Sequence, residues 1–286
     1  MGDSSTSVQM SDGHSFWEGA GGDLWARTME VSERNFVSMS AVLMAAADPQ
    51  PGEQVLDMGC GGGVTSRDLA RRVAPDGAVL GADISDTLVS FARQRHGDLD
   101  NLNFRRMEIG VTPLVEGAFD LIYSRFGVMF FNHPTDAFSQ LHAALKAQGR
   151  LVFMAWRQIK ENPWMYATTR AGVAELPEAL RPAAPEDPFA PGPFALADAD
   201  RTRELLTGAG FGSVSIEPLD DVMRMANEKT ALEYLLALGP LGQILKQVND
   251  ERAMAVKAAM GEVLRGYATA DELNIPSATW IVTARP

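Results

Sequence analysis

The chain has 286 residues, with 25 Lys and Arg against 37 Asp and Glu, a net charge of −12 and one cysteine. Such acidity excludes a nucleic-acid partner, because neutralising phosphates needs clustered basic residues; Arg71-Arg72 and Arg105-Arg106 read as solvated pairs. A lone Cys60 excludes an intrachain disulfide and a cysteine-based metal cluster, and no apolar run approaches the ~20 residues of a membrane span.

The polar, Ser-rich stretch 1–12 is expected to be disordered and does not look like a signal peptide, which makes the cytoplasm the expected compartment. Next come Phe16-Trp17, a Gly19-to-Gly22 stretch, Trp25 and a helical run from Val31 to Ala47. Pro49, Pro51 and Gly52 punctuate before the first strand. Strands and helices then alternate to Trp156, the pattern of a parallel, doubly wound sheet. Pro134 suits the first turn of a helix ending near Lys146, with Gly149 just past its end. A proline-rich interruption follows. The alternation resumes with a helix over 198–210 and a strand over Val214–Leu219. A second interruption, 227–268, carries helical apolar spacing at Leu232, Leu235, Leu236, Leu241 and Ile244. Ala278–Thr283 closes the chain as a strand.

The most informative stretch is Asp57-Met58-Gly59-Cys60-Gly61-Gly62-Gly63, a strand ending in a glycine turn before a helix. Glycines there let a ligand approach the main chain. Asp83 ends the next apolar run, 20 residues beyond Gly63. An acid so placed can accept from both ribose hydroxyls of a nucleoside, or else cap the following helix. The Gly-x-Gly-x-Gly spacing departs from the dinucleotide fingerprint, and Asp57 would repel a pyrophosphate while suiting a sulfonium or ammonium ligand.

These two segments resemble motifs I and II of the class I S-adenosylmethionine-dependent methyltransferases. Asn103–Ile109, Phe119–Phe131 and Leu145–Phe153 are similar to the later strands of the ubiquinone/menaquinone-type branch, so the likeness covers about residues 52–157. It implies a Rossmann-like α/β fold, a doubly wound seven-stranded sheet with the last strand antiparallel, plus a helical cap. The expected organisation is a cap segment at 1–50, a cofactor-binding core at 51–158, a cap insertion at 159–197, a core continuation at 198–220, a helical cap insertion at 221–271 and a final strand at 272–286. It further implies S-adenosyl-L-methionine as cofactor, with Asp57, Gly59, Cys60, Gly61, Asp83, Ile84, Glu108, Ile109, Ser124, Arg125 and Trp25 around it. Where the family usually has Asp-Ala, this chain has Glu108-Ile109.

Methyl transfer relies on the cofactor for reactivity and on the protein for alignment. His133 and His14 are the candidate bases. Trp17, Phe126, Met129, Arg157, Trp164 and Tyr234 are candidates to face the methyl acceptor, Trp17 or Trp25 through a cation–π contact worth about 0.5–2 kcal/mol. Arg125 and Arg157 are either anion ligands or ion-pair partners. The expected reaction moves a methyl group to O, N or C of a small, partly apolar metabolite, with no metal involved. A nicotinamide-dependent oxidoreductase and a non-catalytic S-adenosylmethionine-binding regulator are the alternatives. Homo-oligomerisation stays open.

Overall fold

The computed structural model describes residues 13–183, 187 and 189–286; the expectation for 1–12 lies outside them. Three helices come first: α1 (Gly13–Glu18), α2 (Ala20–Asn35) and α3 (Val37–Ala47). The core alternates β1 (Gln54–Met58), α4 (Val64–Val73), β2 (Ala78–Asp83), α5 (Asp86–His96), β3 (Leu102–Arg106), β4 (Phe119–Arg125), α6 (Pro134–Ala144) and β5 (Leu145–Trp156). Then follow α7 (Pro163–Ala174), α8 (Ala199–Gly208), β6 (Ser213–Met225), α9 (Glu228–Leu238), α10 (Leu241–Ile244), α11 (Asp250–Arg265) and β7 (Leu273–Arg285).

The seven strands form one sheet in the order β3-β2-β1-β4-β5-β7-β6. β1 to β5 pair in parallel, and β7 runs antiparallel to both neighbours. Strand order reverses between β1 and β4, so the loops leaving their carboxyl ends flank the crevice where open α/β sheets bind ligands. The interior strands β1, β4 and β5 are nearly continuous apolar runs, as strands covered on both faces must be; Leu56, Leu121, Ile122, Leu151 and Val152 are fully buried.

Three boundaries differ from the expectations. The run 31–47 is part of two helices rather than one, because Phe36 leaves helical geometry at φ −101°, ψ 4° and drives its ring into the core. The helix from Pro134 stops at Ala144, and Lys146 and Gly149 belong to β5. There a bulge places Leu145 opposite Phe119 but Arg150 opposite Leu121, so the extra residues are absorbed in the strand. β6 and β7 are each 13 residues long and pair from Ser213–Arg285 to Met225–Leu273, well past the last β5 partner, Trp156.

The amino-terminal helices and the two interruptions meet. α2 packs on α9, α9 on α11, and α11 on α7, giving one helical layer. Ser32 on α2 donates to the Tyr234 hydroxyl on α9 at 3.3 Å, joining the first and last parts of that layer.

Candidate active site

Asp57 ends β1 and is 1% exposed. Its Oδ2 accepts from Thr65 Oγ1 at 2.7 Å and Ser66 Oγ at 2.6 Å, both on α4. Its Oδ1 is buried without a partner. Burial pushes the carboxyl up from its ordinary 3.8 to about 6, against the lowering effect of the two hydroxyls.

Asp83 ends β2 and links the two sequence motifs directly. Its Oδ2 accepts from the Gly61 amide and its Oδ1 from the Ser85 amide, each at 2.9 Å. Burial again raises its pKa, opposed by these backbone donors. A carboxylate offers about four lone-pair sites, so acceptor capacity remains beside the backbone donors of Ser85, Gly61 and Ile84. Capping of α5 falls to Ser85, whose hydroxyl accepts from Leu88 N at 3.4 Å, leaving Asp83 for the loop and a ligand.

The loop between these acids is tight. A Cβ on Gly59 would lie 2.7 Å from the Cα of Gly127, just beyond β4, so only glycine lets the two strand exits touch. The Gly59 and Cys60 amides both donate to Ala82 O, at 2.8 and 3.1 Å. Cys60 is buried, and burial followed by the charges of Asp83 and Asp57 pushes its thiol well above the usual range, so it stays protonated.

α2 lies directly over this loop. The Sδ of Met29 sits 2.2 Å from where a Cβ on Gly62 would be, and Trp25 Nε1 sits 3.4 Å from the same position on Gly61. Gly22 fits against Ser85, whose Oγ would be 2.1 Å from an added Cβ, so this glycine lets α2 pack close on the start of α5.

An aromatic wall continues from there. Trp17 meets Trp25 edge-on at 5.9 Å and Phe130 at 5.1 Å. Trp25 stacks on Phe36 at 6.3 Å, Phe36 tilts against Phe126 at 5.1 Å, and Phe126 stacks on Trp156 at 4.4 Å. Trp156 then meets Trp164 of α7 at 5.0 Å. Phe126 holds φ +69°, a left-handed conformation rare for a bulky residue and found where a site dictates the backbone. The Trp17 indole nitrogen is buried without a partner.

The wall unites Trp17, Trp25, Phe126 and Trp164 from the sequence-derived set, and adds Phe36, Trp156 and Phe130. Phe36 and Trp156 went unseen because their partners lie on distant elements. Ser124 Oγ accepts from the Gly127 amide at 3.2 Å. Ile84, Glu108 and Ile109 are half-buried beyond β2 and β3, and the Glu108 amide donates to Thr112 Oγ1 at 3.2 Å. Tyr234 is buried on α9, its hydroxyl pushed up to about 12 by burial.

Other candidates are engaged elsewhere. Arg125 is bound by Glu33 and Ser40, and Arg157 by Asp220 and Glu161 with Trp280 beneath its guanidinium at 5.1 Å. Both take the ion-pair alternative. His133 is exposed before α6, and the side chain of His14 lies outside the described residues. Met129 is buried, its Sδ accepting from Trp156 N at 3.5 Å. Beside Met129 a cavity of about 100 Å³ opens between Phe131, Leu196 and Leu205, with Arg201 on its wall. Among the described residues no group of three or more His, Cys, Asp or Glu side chains could hold a metal, and no helix is long and apolar enough to cross a membrane.

Residues 55–149 match a family model described as a methyltransferase domain. The chain is 33% identical over 109 residues to the arsenite methyltransferase of Halobacterium salinarum, covering 37% of this chain and 28% of that protein. It is 32% identical over 108 residues to the ubiquinone/menaquinone biosynthesis C-methyltransferase UbiE of Ectopseudomonas mendocina, covering 37% and 42% respectively. The chain thus spans less than half the length of these curated relatives. Its fold is that of the Haemonchus contortus phosphoethanolamine N-methyltransferase 2 solved with S-adenosyl-L-methionine, at a TM-score of 0.56, 16% identity, and coverage of 97% of this chain and 61% of that one. A seven-stranded sheet of this order, a methyltransferase-domain match across its glycine loop and methyltransferase relatives over the same stretch mark residues 55–149 as a methyltransferase domain similar to those of the class I S-adenosylmethionine-dependent methyltransferases.

Proposed function

We propose that this protein transfers a methyl group from S-adenosyl-L-methionine to a small, partly apolar metabolite. The observation carrying the reading is the pairing of a buried carboxylate, Asp57, with a half-buried one, Asp83, around one glycine loop. Asp83 keeps acceptor capacity for ribose hydroxyls, and Asp57 has an oxygen without a partner. Such a site suits a nucleoside bearing a cationic tail and disfavours a pyrophosphate.

The bound cofactor supplies an electrophilic sulfonium methyl. The chain's part is to hold, orient and dry the reacting groups. Asp83 and the Gly61 backbone would hold the ribose, and Asp57 favours positive charge beside the loop. Trp17, Trp25 and Phe126 would flank the sulfonium end with ring faces, which attract cations. α2 covers the loop and keeps water out. The aromatic wall and the cavity beside Met129 favour an acceptor with apolar surface.

Calorimetry with S-adenosylhomocysteine and with NAD tests the cofactor, and tritiated S-adenosylmethionine tests transfer. The expected result is binding of S-adenosylhomocysteine alone, with label in an organic-extractable compound. NAD binding would favour an oxidoreductase. Cofactor binding with no turnover across an acceptor screen would favour a regulator.

A further inference from the structure

Away from the glycine loop, a pocket of about 280 Å³ opens between α4 and α5, lined by Arg67, Arg71, Arg95, His96, Asp98 and Leu99. α5 begins at the carboxyl end of β2 and runs back along the sheet, so its last residues, Arg95 and His96, lie toward the edge opposite the cofactor loop. Three guanidinium groups gather here in a chain of net charge −12. Arg67 pairs with Asp68 at 2.8 Å. Among the described residues, no ion pair occupies Arg71 or Arg95; Arg95 only lies over the Phe91 ring, at 5.7 Å.

His96 is the second observation. It is 5% exposed, yet its Nε2 is buried with no hydrogen-bond partner. A buried nitrogen left so is destabilising until a partner reaches it. Burial, reinforced by Arg67 and Arg95, lowers its pKa, although Asp98 and Asp68 pull the other way. Helix-dipole compensation accounts for basic groups in the last turns of α4 and α5. It accounts neither for Arg67, which closes the first turn of α4, nor for an unpartnered imidazole lining a pocket.

We propose that this pocket binds a hydroxyl-bearing phosphate monoester, with the phosphate on Arg71 and Arg95, Arg67 and His96 beside it, and the organic part in the remaining space. Guanidinium groups suit phosphate because they can donate two parallel hydrogen bonds. The pocket far exceeds the ~30 Å³ that a water occupies in the liquid, so a group larger than a bare ion is accommodated. Asp98 disfavours a second anionic group and offers an acceptor to hydroxyls on the organic part.

The test is calorimetry on the full chain with glucose 6-phosphate and with inorganic phosphate, at matched ionic strength. Arg71 and Arg95 are exposed, so an Arg71→Ala/Arg95→Ala variant should fold, as circular dichroism can check. The ester should bind at least fivefold more tightly than inorganic phosphate, and the double variant should lose at least tenfold in ester affinity. S-adenosylhomocysteine affinity should be the same in both proteins. Absence of binding by the parent chain, equal affinity for ester and ion, or an unchanged affinity in the variant would each overturn the assignment.

Discussion

The guanidinium of Arg125, at the end of β4, is clasped by the carboxylate of Glu33 on α2, with one Nη1–Oε2 contact at 3.0 Å and a further bond to Ser40 Oγ at 2.6 Å. The side chain of Arg125 is only 10% exposed and that of Glu33 23%. The pair fixes the amino-terminal helices to the strand that borders the cofactor crevice. Breaking a buried pair leaves an uncompensated charge and costs about 3–5 kcal/mol, whereas replacing both partners with apolar groups is often neutral. Glu33→Gln should therefore lower stability in urea by about 3 kcal/mol, and Glu33→Leu/Arg125→Met should recover most of it. Two singly and doubly replaced proteins of equal stability would remove the clasp's role.

Asp83→Ala should lower affinity for S-adenosylhomocysteine at least tenfold. The ribose hydroxyls would lose an acceptor whose bonds are worth about 1.5–3 kcal/mol, and the Gly61 amide would lose its partner. Calorimetry gives the answer directly, and an unchanged dissociation constant would sink the assignment.

Asp57 makes stability depend on pH in a definite direction. Its folded pKa of about 6 lies above the ordinary 3.8, because burial disfavours the charged form. Between those values the folded state binds more protons than the unfolded one, so stability falls as pH rises, by about 3 kcal/mol in all. Below pH 4 the penalty is absent; above pH 6 it is complete. Asp57→Asn keeps an acceptor for Thr65 and Ser66 and cannot ionise. It should be more stable than the parent at pH 7.5, and that difference should vanish toward pH 4. Denaturation curves at several pH values decide it; a constant difference would show that Asp57 is not the titrating group.

Phe126 offers a test of backbone strain. Replacing it with Ala or with Gly removes the stack on Trp156 equally, but only glycine occupies φ +69° without penalty. A left-handed L-residue costs roughly 1–2 kcal/mol. Phe126→Gly should be about 1 kcal/mol more stable than Phe126→Ala, the reverse of the order in ordinary secondary structure. The usual order would mean that the backbone relaxes once the ring is gone.

The loop acids and the core strands were legible because their signals are local: apolar runs of strand length, each stopped by glycine or an acid at its carboxyl end. The distal halves of β6 and β7 were not. Pro276 lies within that of β7, and a proline argues against an interior strand, but here it faces Val222 in a ribbon beyond the last β5 partner. Long-range pairing was also hidden. Arg125 reads equally well as an anion ligand until Glu33, 92 positions earlier, is seen beside it. Phe36 and Trp156 carry no local mark distinguishing a wall of the crevice from ordinary core.

The ribbon formed by β6 and β7 has a consequence for how such a protein can change. α9, α10 and α11 are spliced between Met225 and Leu273, which are themselves paired neighbours. The points where that module enters and leaves are thus already side by side, and closing the chain across them with a short turn costs little entropy. A different helical module could be grafted at the same seam without altering the order of the sheet or the carboxylates around its glycine loop. The inserted helices and the glycine loop are, in this architecture, free to vary separately.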